Sequence, residues 1–167
     1  MKDSPMHAED FAPPERSRSL WVAFLIGAGI MAAVDEIIFH QLLAWHHFYD
    51  RATPAIALAS DGLLHAAELI AIVAGFFLYS DLRRRNALAP GWAWAGFFLG
   101  AGVFQLFDGT VNHKLLRLHQ IRYGVHVLPY DVVWNLAALA LILIGVVLLM
   151  RARRAEPRRS ASVAGGR

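Results

Sequence analysis

The chain has no cysteine, which excludes disulfides, iron–sulfur clusters and thiolate-bound metals. Charge is scarce as well. Only 17% of the 167 residues are charged while 57% are hydrophobic, and the mean hydropathy of +0.43 is high for a soluble protein of this size. The charge that is present leans basic, with a pI near 9.7. A basic balance first suggests a nucleic-acid partner, but its distribution argues against one. The arginines sit in short blocks between long apolar runs, where they read as topology signals.

Four runs reach the roughly 20 residues needed to cross about 30 Å of hydrocarbon. They are residues 20–45, 55–80, 91–118 and 129–150. The expected fold is all-α: an integral membrane four-helix bundle over residues 19–152, with disordered tails at 1–18 and 153–167. The first run is too long, and too polar at its far end, for a cleaved signal peptide. Twelve of the sixteen Lys and Arg lie in the two tails and the second connection, among them Arg83, Arg84 and Arg85. The positive-inside rule puts those segments, and hence both termini, in the cytoplasm.

The stretch "GAGIMAAVDEIIFHQLLAWH" from Gly27 returns 73 residues later as "GAGVFQLFDGTVNHKLLRLH" from Gly100. Identical pairs include Gly27/Gly100, Gly29/Gly102, Asp35/Asp108, His40/His113 and His46/His119. The second and fourth runs match at an offset of 70, pairing Asp61 with Asp131 and Gly75 with Gly145. There Asn135 stands opposite His65, and Ala138 opposite Glu68. The chain reads as a duplicated two-helix unit. Each unit crosses the membrane an even number of times, so the repeats are parallel and a pseudo-two-fold axis along the membrane normal relates them. Chance similarity between apolar helices is the alternative, and the shared polar residues weigh against it.

A rise of ~1.5 Å per residue puts Asp35 ~22 Å from the inner edge of the membrane, with Asp108 at a similar level. On the descending second run, Asp61, His65 and Glu68 lie ~9 to ~20 Å below the outer edge. Polar groups from all four runs thus share one layer of the outer leaflet. Asp61, His65 and Glu68 share a helix face, and Glu36, His40 and His47 share another. Asp35 aligns with His46, and Asp108 with His119, if the helices continue that far. Asp35 and His40 are five apart, about 140° around an ideal helix. One metal ion can take both only through a local distortion or a helix end near His40.

Ionisable residues within a span ordinarily face the bundle interior and serve a function. The bland alternatives are plain helix-to-helix bonding for Asp35 and Asp108, a satisfied core histidine for His65, and interfacial positions for His46, His47, His119 and His126. The leading expectation is a metal site near the extracytoplasmic face. Its ligands come from Asp35, Glu36, His40, His46, His47, Asp61, His65, Glu68, Asp108, His113 and His119. Such ligands suit one or two ions of Cu, Zn or Fe, for redox chemistry or for delivery to respiratory-chain proteins. A second reading is a b-type haem with His40 and His113 as axial ligands, which the surrounding carboxylates disfavour. A third is a proton or ion pathway, although the polar groups stop in the outer half. A fourth is a non-catalytic assembly subunit. The expected partners are the lipid bilayer and a metal ion, and not nucleic acid. A homo-oligomer is compatible with the sequence, and whether the chain is an enzyme is left undecided.

The motifs "VDEIIFHQLLAWHH", "DGLLHAAE" and "LFDGTVNHKLLRLHQIR" together resemble an uncharacterised family of bacterial four-span membrane proteins, domain of unknown function 2243. The resemblance runs from about Leu20 to Arg153. It implies four helices in the bacterial inner membrane, and it brings no activity and no site residues.

Overall fold

A computed structural model describes residues 14–155. Most of the two tails lies outside the described residues. The parts that are described differ from the expected disorder, since Arg16, Ser17, Arg18, Arg153 and Arg154 are helical.

Among the described residues every regular element is helical, with no strand. Helix α1 (Arg16–Asp35) passes without a break into a π-helical segment, π1 (Glu36–Leu42). A connection leads to α2 (Pro54–Arg84), and a short turn to α3 (Pro90–Phe107). Helix α3 passes into a second π-helical segment, π2 (Asp108–Leu115), and a longer connection leads to α4 (Leu128–Arg154). The starts follow local chemistry. Thr53 caps α2 by accepting from the Ile56 N–H at 3.4 Å, and Pro54, Pro90 and Pro129 occupy first turns, where no backbone donor is needed.

The helical rods are shifted from the expected spans. The first ends at Leu42 rather than Trp45 and the third at Leu115 rather than Leu118, while α2 and α4 run to Arg84 and Arg154. Among the described residues, three helices are long and apolar enough to cross a membrane: Arg16–Leu42, Pro54–Arg84 and Leu128–Arg154. Helix α3 differs in composition, with glycines 91, 96, 100 and 102, two tryptophans and Gln105. Its surroundings account for this, because α3 packs between α1 and α4 and needs less apolar side chain to cover itself.

The helices pack in the order α2–α1–α3–α4. The centre is the α1–α3 crossing, made of small residues. A Cβ on Gly27 would strike the backbone carbonyl of Phe97, and one on Gly100 would strike that of Phe24. Only glycine lets the two backbones meet so closely. The outer contacts repeat the arrangement, with Gly29 seated against α2 at Ala71 and Ile72, and Gly102 against α4 at Ala138 and Ile142. Helices α2 and α4 leave large apolar side chains outward, including Leu63, Phe77, Leu136 and Leu143, as lipid-facing helices do.

The end with the termini is apolar inside and ionic at its rim. Val22, Ile26, Leu82 and Ala87 form its core. Ser19, fully buried, donates to the Glu15 carbonyl at 2.8 Å and accepts from the Ala89 N–H at 3.0 Å. Glu15 and Asp81 share Arg18 and Arg85 on the surface, and the hydrogen bond from Arg85 holds the Glu15 carboxyl below its ordinary range. The opposite end holds the buried carboxylates and histidines.

Candidate metal centre

The distortion that the five-residue spacing demands is a change of helix type. A π-helix bonds residue i to i+5, which stacks residues five apart on one face. Each central helix changes from α to π at its aspartate. His40 Nε2 then lies 3.8 Å from Asp35 Oδ2, and His113 Nε2 lies 3.1 Å from Asp108 Oδ2.

The π segments also end alike. Leu43 N–H donates to the Ile38 carbonyl and Trp45 N–H to that of Phe39; Leu116 and Leu118 do the same to Val111 and Asn112. Between these bonds Ala44 takes φ 48° and Arg117 φ 51°, the left-handed region that disfavours a Cβ. This reverses the chain and carries His46 and His119 back over the helix ends. The expected alignment of Asp35 with His46 along three continuous turns is therefore corrected. The helix stops, and the histidine arrives from a folded-back loop.

The two returning histidines hold each other's loop. His46 Nδ1–H donates to the Ile121 carbonyl at 2.9 Å, and His119 Nδ1–H to the Phe48 carbonyl at 2.8 Å. Their rings stack at 4.5 Å and 8°. With Nδ1 acting as donor, each Nε2 carries a lone pair, and both Nε2 atoms are buried without a partner. Burial, helped by the rings of His119, His40 and His113, pulls His46 down to about 2, so it stays neutral.

His40 completes the group. Its Nδ1 lies 2.7 Å from Glu36 Oε2 and 3.2 Å from Asp61 Oδ1, while its Nε2 is buried and unpartnered. His40, His46 and His119 each offer a ligand atom within 4.8 Å of the others. Asp108, His113 and His119 form a second such group that shares His119. Asp108 is oriented by Asn112, whose Nδ2 donates to Oδ1 at 2.9 Å. Asp35 Oδ1, Asp108 Oδ2 and both His113 nitrogens have no hydrogen-bond partner.

A third group lies on the other side of His40: Glu36, His40 and Asp61, again within 4.8 Å. Asp61 accepts from His47 Nδ1 at 2.5 Å and from the Phe48 N–H at 2.6 Å. His65 Nδ1 lies 2.6 Å from Glu68 Oε1, with Glu68 buried and the His65 side chain 57% exposed. The structure thus gathers Asp35, His40, His46, Asp108, His113 and His119 into a centre, and Glu36, His47 and Asp61 beside it. His65 stands at the edge, and His126 is exposed.

Sequence reasoning passed over Asn112, Gln41 and the carbonyls of Phe48 and Ile121. Asn112 was findable, four residues beyond Asp108 on one helix. Gln41 Nε2 donates to Glu36 Oε1 at 2.8 Å, also five residues apart on a π segment. The carbonyls carry no signal in the side-chain sequence.

The comparisons with known proteins agree with a membrane location. Neither the curated proteins nor the solved structures contain a match to this chain. Residues 22–152 match a family model described as "Predicted membrane protein (DUF2243)". The match takes in most of α1 and α4, all of α2 and α3 and the whole polar cluster, and the chain belongs to that family of membrane proteins.

Proposed function

We propose that this membrane protein binds a transition metal ion in the cluster between π1, π2 and the two returning loops. One observation carries the reading. His40, His46 and His119 each offer a ligand atom within 4.8 Å of the others, their Nε2 atoms are buried without a hydrogen-bond partner, and each Nδ1 is tied to a carboxylate or carbonyl. Metal-ligating histidines are oriented in this way, with the far N–H fixed by an acceptor. Without an ion, a desolvated imidazole lone pair beside buried carboxylates is a net cost of ~1–3 kcal/mol per unsatisfied group. Asp108 and His113, with Asp35 behind them, offer the remaining ligands. The set suits Zn(II), Cu(II) or Fe.

Packing favours an ion over a haem. The His46 ring lies 4.5 Å from that of His40 and 6.0 Å from that of His113, and the His119 ring lies 5.9 and 4.7 Å from the same two. A macrocycle between His40 and His113 would have to displace both. Membrane orientation belongs to the same proposal: four crossings, both termini cytoplasmic, and the centre near the outer face of a bacterial inner membrane. So does the duplication, which the matched contacts at a spacing of 73 residues support. The test is elemental analysis of protein purified from its native membrane. The expected result is a transition metal at about one equivalent or more, with one equivalent lost in His46→Gln/His119→Gln. Metal-free protein that also takes up none on reconstitution would overturn the reading.

A further inference from the structure

We propose a second, separate cation site in the cavity between π1 and α2, with Glu36, Asp61 and His65 as its ligands; it rests on the metal-binding reading above. The cavity measures about 460 Å³ and is lined by Glu36, Gln41, Asp61 and His65 among others. Glu36 and Asp61 are 1% exposed, yet both line it. Glu36 Oε2 makes no well-directed hydrogen bond, and the neighbouring Glu68 Oε2 has no partner. Three carboxylates are therefore buried together with only histidines as neighbouring donors of positive charge. Gln41 and the Phe48 N–H also donate to Glu36 and Asp61, but buried carboxylates with no permanent cation beside them are costly, and a divalent cation would supply the missing charge.

The second half of the chain provides an internal control. At the corresponding positions, Gly109 stands for Glu36, Lys114 for Gln41, Asn135 for His65 and Ala138 for Glu68. The carboxylate that remains there, Asp131, is paired with Lys114. Helix α4 still packs on α3 without those polar groups. Packing of the two-helix unit therefore does not require Glu36, His65 and Glu68, which leaves a ligand as their explanation. Oxygen-rich ligands with one imidazole suit a divalent ion such as Mn(II), Fe(II) or Zn(II). The ring of His40 forms the wall between the two sites, Nε2 facing the histidine centre and Nδ1 facing Glu36 and Asp61.

The experiment is equilibrium dialysis of the full chain in detergent against Zn(II) alone, with bound metal counted. Wild type is expected to hold two ions. Glu36→Gln and His65→Gln are each expected to hold one, and the lost ion should bind at least tenfold more weakly in wild type than the retained one. His119→Gln should lose the other ion and keep this one. His65 is half exposed, so its substitution tests the site even if Glu36→Gln fails to fold. Wild-type stoichiometry in both Glu36→Gln and His65→Gln overturns the second site. A single ion that His119→Gln abolishes also overturns it and leaves the histidine centre standing. Ion binding that survives His119→Gln intact but is lost in Glu36→Gln overturns the centre instead. No ion in wild type overturns both.

Discussion

In the proposed metal centre, substitution of His46 and His119 should separate metal binding from folding. Each contributes a hydrogen bond to the partner loop and an unpartnered Nε2. Glutamine keeps a donor and roughly the same reach but removes the imidazole lone pair. His119→Gln is expected to weaken metal binding at least a hundredfold while leaving the helical circular-dichroism signal intact. Asn112 acts one step out, holding Asp108 at 2.9 Å. Losing such an orienting partner costs about 10–100-fold in affinity. Asn112→Ala should therefore show a loss in that range by competition with a chelator of known affinity. An unchanged affinity would remove Asn112 from the account.

At the scale of elements, the π segments and their left-handed ends place the candidate ligands. Ala44 and Arg117 hold positive φ without being glycine, a strain of about 1 kcal/mol each. Ala44→Gly should raise stability in detergent by roughly 0.5–1 kcal/mol, read as a higher thermal midpoint. A lower midpoint would mean that the turn is held by something other than backbone preference. These elements also mark where sequence reading ends. The apolar runs gave the helices, and the repeated "D-x4-H" spacing announced that an ideal α-helix would not serve. The π geometry that resolves it was not legible, because no residue type specifies a bond from i to i+5. The early helix ends were missed for a related reason. Leu42, Leu43 and Leu115 continue the apolar pattern into and past the place where the backbone turns. The chain reversal at Ala44 and Arg117 lacks the glycine that normally signals it.

At the scale of the whole molecule, two glycine-packed central helices carry α2 and α4 on their outer sides. The sequence suggested four helices closing on a common interior, and the order α2–α1–α3–α4 depends on pairings that hydropathy does not encode. The glycine pairs were visible as repeated letters, but their contact, backbone against backbone, was not. Gly27→Ala should put a methyl against the Phe97 carbonyl and destabilise the fold by about 1–3 kcal/mol, as overpacking does. Gly62 meets nothing near its would-be Cβ, so Gly62→Ala serves as the control and should be neutral to stabilising by up to about 1 kcal/mol. Equal thermal midpoints for the two variants would contradict the close α1–α3 crossing. Reporter fusions at Arg167 and within the loop around Arg51 should give opposite sides of the membrane, the former cytoplasmic.

The most direct measurement is X-ray absorption at the edge of the metal that copurifies with the chain or is reconstituted into it. A centre formed by His40, His46 and His119 predicts a first shell of nitrogen and oxygen with the outer-shell scattering of several imidazoles, strongly reduced in His119→Gln. A shell of oxygen alone, or one unchanged by that substitution, would contradict it.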